Sequence, residues 1–253
     1  MLTTVLLTIE RCLFTVANPM GLNVKIIVIA APKGGTCKTT LTAALAVEAA
    51  KQAPTAVVDL NFDQASLTQW WELRGQESPT LVDIDPEQPD ALSAALQAAA
   101  EAGMEYVIVD TAPYDLPLLA EVVKRADVVI SPCRPSVIDI LAITALMDMV
   151  RAHRKTHAFV LSAVDSKMSR IVDQAIMALG RLGPILASRV GYRAAYISAM
   201  TVGKTGPEIS DEAADEIAAL WAEVQRLADG ATTPTAKMRG RIYGSRTKGV
   251  ARG

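Results

Sequence analysis

The sequence predicts a doubly wound α/β domain, a mostly parallel sheet with helices on both faces, from three observations. Apolar residues make up 51% of the 253-residue chain, enough for one large core. They come in short blocks such as Lys25–Ala31 and Tyr106–Val109, as strands buried on both faces do. These blocks alternate with Ala- and Leu-rich stretches of helical length, the order that βαβ crossovers produce.

Val24–Ala31 reads as the first strand, and Lys38–Lys51, rich in Ala, Leu and Thr, as the first helix. Thr55–Leu60 is a second strand, followed by a helix over Ser66–Leu73. Asp83–Asp90 is a Pro- and Asp-rich loop, and Ala91–Ala102 an alanine-filled helix. Glu105–Asp110, Asp127–Ser131 and His157–Ala163 read as further strands, separated by helices over Leu116–Arg125 and Ile138–His153. Further helices close the domain, the last over Asp211–Leu227 with Asp211 as its N-cap. The boundaries are an N-terminal extension over 1–22, a folded domain over 23–229 and a basic tail over 230–253. Met20 stands just before the first strand and offers an alternative start.

No segment approaches the roughly 18–20 apolar residues that a membrane-spanning helix needs. Met1–Thr8 is apolar, but Glu10 and Arg11 interrupt it and no basic stretch precedes it, which argues against a secretory signal. Cys12, Cys37 and Cys133 are too few and too scattered for a disulfide framework or a zinc site, as expected of a cytoplasmic protein. The net charge is −2, unevenly spread: Lys237, Arg239, Arg241, Arg246, Lys248 and Arg252 follow Gly230 with no acid among them. The composition of this tail, Gly, Thr, Pro, Lys and Arg, is that of a disordered segment.

The chemistry concentrates in Lys33-Gly34-Gly35-Thr36-Cys37-Lys38-Thr39-Thr40. It follows a strand and opens a helix, the context of a phosphate loop. Glycines let successive N–H groups face phosphates, and the helix N-terminus adds its positive dipole. Lys38 would reach the β- and γ-phosphates and the Thr39 hydroxyl would ligate Mg²⁺. The common spacing G-x-x-x-x-G-K-[ST] is not met, because Pro32 and Cys37 stand at its two glycine positions. A side chain at Cys37 is strained if its φ is positive.

What is met is K-G-G-x-x-K-[ST], and this resembles the deviant Walker A motif of the ParA/MinD family of ATPases. The resemblance implies that Lys33 crosses to the nucleotide of a partner subunit in an ATP-bound homodimer. Ala56-Val57-Val58-Asp59 places Asp59 at the family's Walker A′ aspartate, with an implied role on the magnesium shell and the attacking water. Tyr106-Val107-Ile108-Val109-Asp110 resembles Walker B, with Asp110 close to the metal. An aspartate at a strand end is by itself an ordinary cap or turn former. Two of them after a phosphate loop, both at the carboxyl edge of a parallel sheet, would face that loop and supply the oxygens Mg²⁺ prefers. The family's D-x-D-P-Q-x-S is met imperfectly by Asp59-Leu60-Asn61-Phe62-Asp63-Gln64-Ala65-Ser66.

Ala126-Asp127 through Pro132-Cys133-Arg134-Pro135-Ser136-Val137-Ile138-Asp139 resembles the family's A-D-x-x-I-x-P-x-x-P-S-x-x-D stretch, which places Pro135 near the nucleotide. Ser188–Ala195, Gly203-Lys204-Thr205 and Asp211–Glu223 resemble its closing helices. The resemblance implies a DNA partition ATPase with slow intrinsic hydrolysis that works with a ParB-like adaptor and associates with the nucleoid. It makes Arg189, Arg193 and Lys204 candidates for non-specific DNA contact, with Lys237, Arg239 and Arg241 in the tail. A MinD-like spatial regulator and a weakly hydrolysing scaffold are the alternatives. The tail lacks the bulky apolar face of a membrane-binding helix, so no membrane partner is expected. His153 and His157 read as surface or helix-end residues, and Trp70, Trp71 and Trp221 as core or interface anchors.

Overall fold

A computed structural model describes residues 24–231 except Pro89 and Tyr114. The extension over 1–22 and the tail residues Lys237, Arg239 and Arg241 lie outside the described residues. The strands are β1 Lys25–Ile29, β2 Thr55–Leu60, β3 Thr80–Leu81, β4 Tyr106–Thr111, β5 Val128–Cys133, β6 Thr156–Val164 and β7 Ile185–Gly191. They form one seven-stranded sheet in the order β3-β2-β4-β1-β5-β6-β7, every pairing parallel. The doubly wound architecture is as the sequence predicts.

The helices are α1 Lys38–Ala50, α2 Ser66–Arg74, α3 Ala91–Glu101, α4 Leu116–Arg125, α5 Val137–Ala142, α6 Thr144–Ala152, α7 Ser169–Leu179, α8 Ala194–Met200 and α9 Asp211–Ala228. The period-two alternation of the strands divides the core between them. Ile26 and Val28 of β1 join Leu96, Val122, Leu146 and Leu179 from α3, α4, α6 and α7 on one face. Ile27 and Ile29 join Leu45, Leu67, Tyr196 and Trp221 from α1, α2, α8 and α9 on the other. Trp70 and Trp221 are buried anchors of that second layer.

Several elements differ from the sequence reading. β3 is two residues long, paired in register with Ala56 and Val57, too short to leave an apolar block. β7 is a strand where a run of closing helices was expected to start. It is an edge strand with polar residues facing out, so it lacks the continuous apolar run of its neighbours. Its edge is covered by Glu223, whose carboxylate accepts from the N–H groups of Ala187 and Ser188, both at 2.8 Å, an arrangement that blunts strand-to-strand association. The predicted Ile138–His153 helix is two helices, α5 and α6, broken at Ile143. The N-cap of α9 is Ser210, not Asp211: its hydroxyl accepts from Ala213 N–H, and Asp211 sits in the first turn, where its charge suits the helix dipole.

His157 is a further correction. It is 5% exposed, bonded through Nε2 to Ser131 Oγ at 2.9 Å, and packs edge-on against Phe159. Burial, with a smaller push from Arg151, lowers its pKa to about 3, so it is a neutral core histidine.

In this sheet the chain leaves β1 toward β2 and leaves β5 toward β6, in opposite directions. The crevice between the carboxyl ends of β1 and β5 is therefore the topological switch point, where ligands of open α/β sheets bind. The loops that open there are residues 30–37 and 134–136.

Candidate functional site

The loop after β1 closes on itself before α1 begins. Lys38 Nζ donates to the Lys33 carbonyl at 3.0 Å, and Thr36 Oγ1 donates to the same carbonyl at 3.3 Å. Ser162 of β6 donates to the Thr36 carbonyl at 3.1 Å, tying the loop to the sheet. Gly34 and Gly35 are exposed, and Gly35 has φ +72°, a backbone that glycine adopts without strain. A Cβ on Gly34 would meet nothing within 4 Å, so the loop surface is open to a ligand. Lys38 is itself buried, at 7% exposure. Burial pulls its pKa below the usual lysine value, and nearby Asp110 pushes back.

Cys37 stands at the N-cap of α1 with φ 69° and ψ 26°, the left-handed region, and makes no side-chain capping bond. The strain anticipated for a non-glycine residue at this position is therefore present, at a cost of about 1–2 kcal/mol. Burial pushes its thiol pKa up, with the Arg134 charge pulling partly back, so it is not an activated thiolate. Cys37→Gly is expected to raise nucleotide affinity a few-fold, the equivalent of under about 1 kcal/mol because glycine also has more chain entropy to lose. A nucleotide titration of the variant checks this; unchanged affinity would mean that the loop carries the strain at no cost to binding.

Asp110 ends β4 beside the loop. Its Oδ2 accepts from Thr39 Oγ1 at 2.5 Å, while its Oδ1 is buried without a partner. Burial, opposed by the Thr39 bond and augmented by the charge of Asp59, raises its pKa to about 7. A buried, unpartnered carboxylate oxygen beside a threonine hydroxyl supplies the hard oxygen donors suited to a divalent cation, and Mg²⁺ completes its shell with phosphate oxygens and water. Thr39 and Asp110 thus fit magnesium. The ion would neutralise phosphate charge there.

Asp59 is the register partner of Asp110, but it faces away from the loop in its bonding. Its Oδ1 accepts from Asn61 N–H at 2.9 Å. Its Oδ2 accepts from Leu67 and Thr68 N–H at 3.0 and 3.1 Å and from Thr68 Oγ1 at 3.3 Å. The carboxylate therefore caps the first turn of α2, whose own N-cap residue, Ala65, offers no side-chain acceptor. Lys33 also has a partner within its own chain, the Asp139 carboxylate at 3.6 Å.

Beside the loop lies a cavity of about 330 Å³, lined by Gly35, Cys37, Thr40, Arg134, Tyr192, Arg193 and Tyr196 among others. Glu216 of α9 organises its wall: it accepts from Arg193 Nε and Nη2 at 3.1 and 2.7 Å, from Tyr196 Oη at 3.0 Å and from Gly191 N–H at 3.1 Å. An apolar, aromatic hollow adjoining a phosphate loop suits a nucleoside. Pro135 is half-buried and does not line this cavity; its neighbour Arg134 does.

A family model described as the CobQ/CobB/MinD/ParA nucleotide binding domain matches residues 27–205. The chain belongs to this family of P-loop ATPases. It is 28% identical over 209 residues, 76% of this chain and 92% of the other, to maintenance of carboxysome distribution protein A of Halothiobacillus neapolitanus. Its fold is that of the septum site-determining protein MinD of Pyrococcus horikoshii, solved with Mg-ADP. The TM-score there is 0.67 at 18% identity, covering 81% of this chain and 97% of that one. A putative plasmid partition protein of Borrelia burgdorferi bound to AMPPNP superposes with a TM-score of 0.65 at 17% identity, covering 80% and 99%.

Lys33 to Thr40 and Asp110 converge at one sheet edge; Asp59 ends the neighbouring strand in register with Asp110, but its carboxylate is spent on the first turn of α2. Of the candidates for DNA contact, Arg189 is exposed on β7 and Lys204 is exposed beyond α8. Arg193 is drawn inward to Glu216 and the cavity, which commits its guanidinium elsewhere. Sequence reasoning missed Arg134, Asp139, Tyr196 and Glu216. The first two stood inside the Pro-rich stretch after β5, five residues apart with opposite charges. Glu216 sits on a distant helix and left no local signal.

Proposed function

We propose that this ParA/MinD-type ATPase binds Mg-ATP, dimerises on it, and positions a cargo along DNA with the help of an adaptor protein. One observation supports it most. The loop holds two lysines in different states: the Lys38 ammonium donates to a carbonyl of the loop itself, while the Lys33 ammonium pairs with Asp139, outside the loop. A second lysine that is not bonded within its own loop is available to complete a partner's site. Such an interface is isologous, with each subunit contributing the same residue, and in phosphoryl transfer a late-arriving positive charge gates the chemistry.

Charge distribution supports the DNA part. The 151–193 stretch exposes Arg151, Arg154, Lys167, Arg170, Arg181 and Arg189 against Asp165 and Asp173, with Arg151 paired to Asp148. An excess of exposed positive charge of this kind attracts a phosphate backbone without reading its sequence. The basic tail adds six positive charges to the chain. Acids concentrate at the opposite edge, with Asp63, Glu72, Glu77, Asp83, Asp85, Glu87 and Asp90 against Arg74 alone over 61–90. Among the described residues no helix is long and apolar enough to cross a membrane. The relative named for carboxysome distribution favours a large protein assembly as cargo, and the structural neighbour named as a putative plasmid partition protein favours DNA.

Light scattering with and without a slowly hydrolysed ATP analogue tests the core of this reading. A shift from monomer to dimer that Lys33→Ala weakens at least about tenfold is the expected result. An unchanged mass for the wild type at saturating nucleotide would overturn it.

A further inference from the structure

We propose that Arg134 is a nucleotide-contacting residue, which presents a guanidinium edge to the phosphate chain from within the same subunit and is held in position by Asp139. This rests on the reading of residues 33–40 as a nucleotide-binding loop. Arg134 follows the last residue of β5, and β5 lies beside β1, so the two loops open on the same crevice. Asp139 grips one edge of the guanidinium, Oδ2 accepting from Nε at 2.6 Å and Oδ1 from Nη2 at 3.3 Å. Asp139 is 4% exposed, so it is a fixed post and not a swinging surface carboxylate.

The remaining edge of the guanidinium has no protein partner among the described residues. Its Nη1 lies 3.7 Å from where a Cβ on Gly35 would stand, over the stretch of loop that lacks side chains. Arg134 also shares the lining of the 330 Å³ cavity with Gly35, Cys37 and Thr40. A guanidinium can satisfy a carboxylate on one edge and a phosphate on the other, because its five donors lie in one rigid plane. The same Asp139 carboxylate holds Lys33 at 3.6 Å, so one buried acid stations two cations beside one loop. A purely structural ion pair would need only one of them, and would gain nothing from leaving an arginine edge turned toward the loop.

The test compares Arg134→Ala, Arg134→Lys and the wild-type full chain for Mg-ATP and AMP by calorimetric titration, with thermal unfolding of each. Loss of about tenfold in ATP affinity for Arg134→Ala, partial recovery in Arg134→Lys and a smaller change for AMP are the expected results, since a charge-assisted phosphate contact is the interaction removed. An Arg134→Ala protein that binds ATP like the wild type, with only its unfolding temperature lowered, would overturn the proposal and leave the nucleotide-site reading intact. A wild type that fails to bind ATP while Lys38→Ala behaves identically would overturn both.

Discussion

Lys38→Ala is expected to lower affinity for Mg-ATP by at least about a hundredfold, because on the proposed reading it deletes the charge that would meet the β- and γ-phosphates. The same change is expected to leave the nucleotide-free fold as stable as before, or slightly more so. The ammonium is buried, and its pKa is pulled down by desolvation ahead of the opposing charge of Asp110. A buried charge whose pKa is depressed costs folding energy in its charged form. Its one hydrogen bond, to the Lys33 carbonyl, is shared by Thr36, so that carbonyl keeps a donor. Nucleotide titration and thermal unfolding of the variant, run together, separate the two effects. Retained binding would mean that residues 33–40 do not hold phosphate; lost binding with a collapsed unfolding temperature would mean that Lys38 is a structural residue.

The phosphate loop was legible because its chemistry is local. The lysines, glycines and threonine act through residues within a single turn of each other, and the strand before and helix after them are long, apolar and regular. β1, β2, β4, β5 and β6 were legible for the same reason, since each is buried on both faces and reads as an apolar block. What escaped depends on contacts distant in sequence. β3 exists only because β2 offers an unpaired edge, and β7 is held by α9 through Glu223. The burial of His157 follows from its register beside β5, where Ser131 and Phe159 surround it, and no neighbour in sequence announces it. Arg134 and Asp139 stood inside the family-like stretch after β5 but carried no role of their own in the sequence, because a pair of opposite charges five apart has meaning only once β5 is known to lie against β1.

Asp59 shows how one residue can satisfy two readings, and variants at this position are expected to separate them. As a cap it serves α2: Leu67 and Thr68 N–H groups both depend on its Oδ2, in a buried setting where an orphaned donor is costly. As the Walker A′ aspartate it would act on the metal shell and water, a role that calls for the negative charge itself. Asp59→Ala removes both functions. It is expected to lower stability by about 1–2 kcal/mol, a fall of roughly 2–8 °C in the unfolding midpoint for a domain of this size. Turnover is expected to fall about a hundredfold, with ATP affinity within a few-fold of the wild type. Asp59→Asn keeps an acceptor oxygen for Leu67 and Thr68 but carries no charge, so its stability is expected to stay within about 1 kcal/mol of the wild type while turnover remains as low as in Asp59→Ala. Steady-state hydrolysis and thermal unfolding of the two variants decide between the readings. If Asn restores turnover along with stability, Asp59 is a cap alone. If it restores stability and not turnover, the charge acts on the chemistry, and α2 must give up its cap for Asp59 to reach the phosphates, which would link the first turn of α2 to the state of the bound nucleotide.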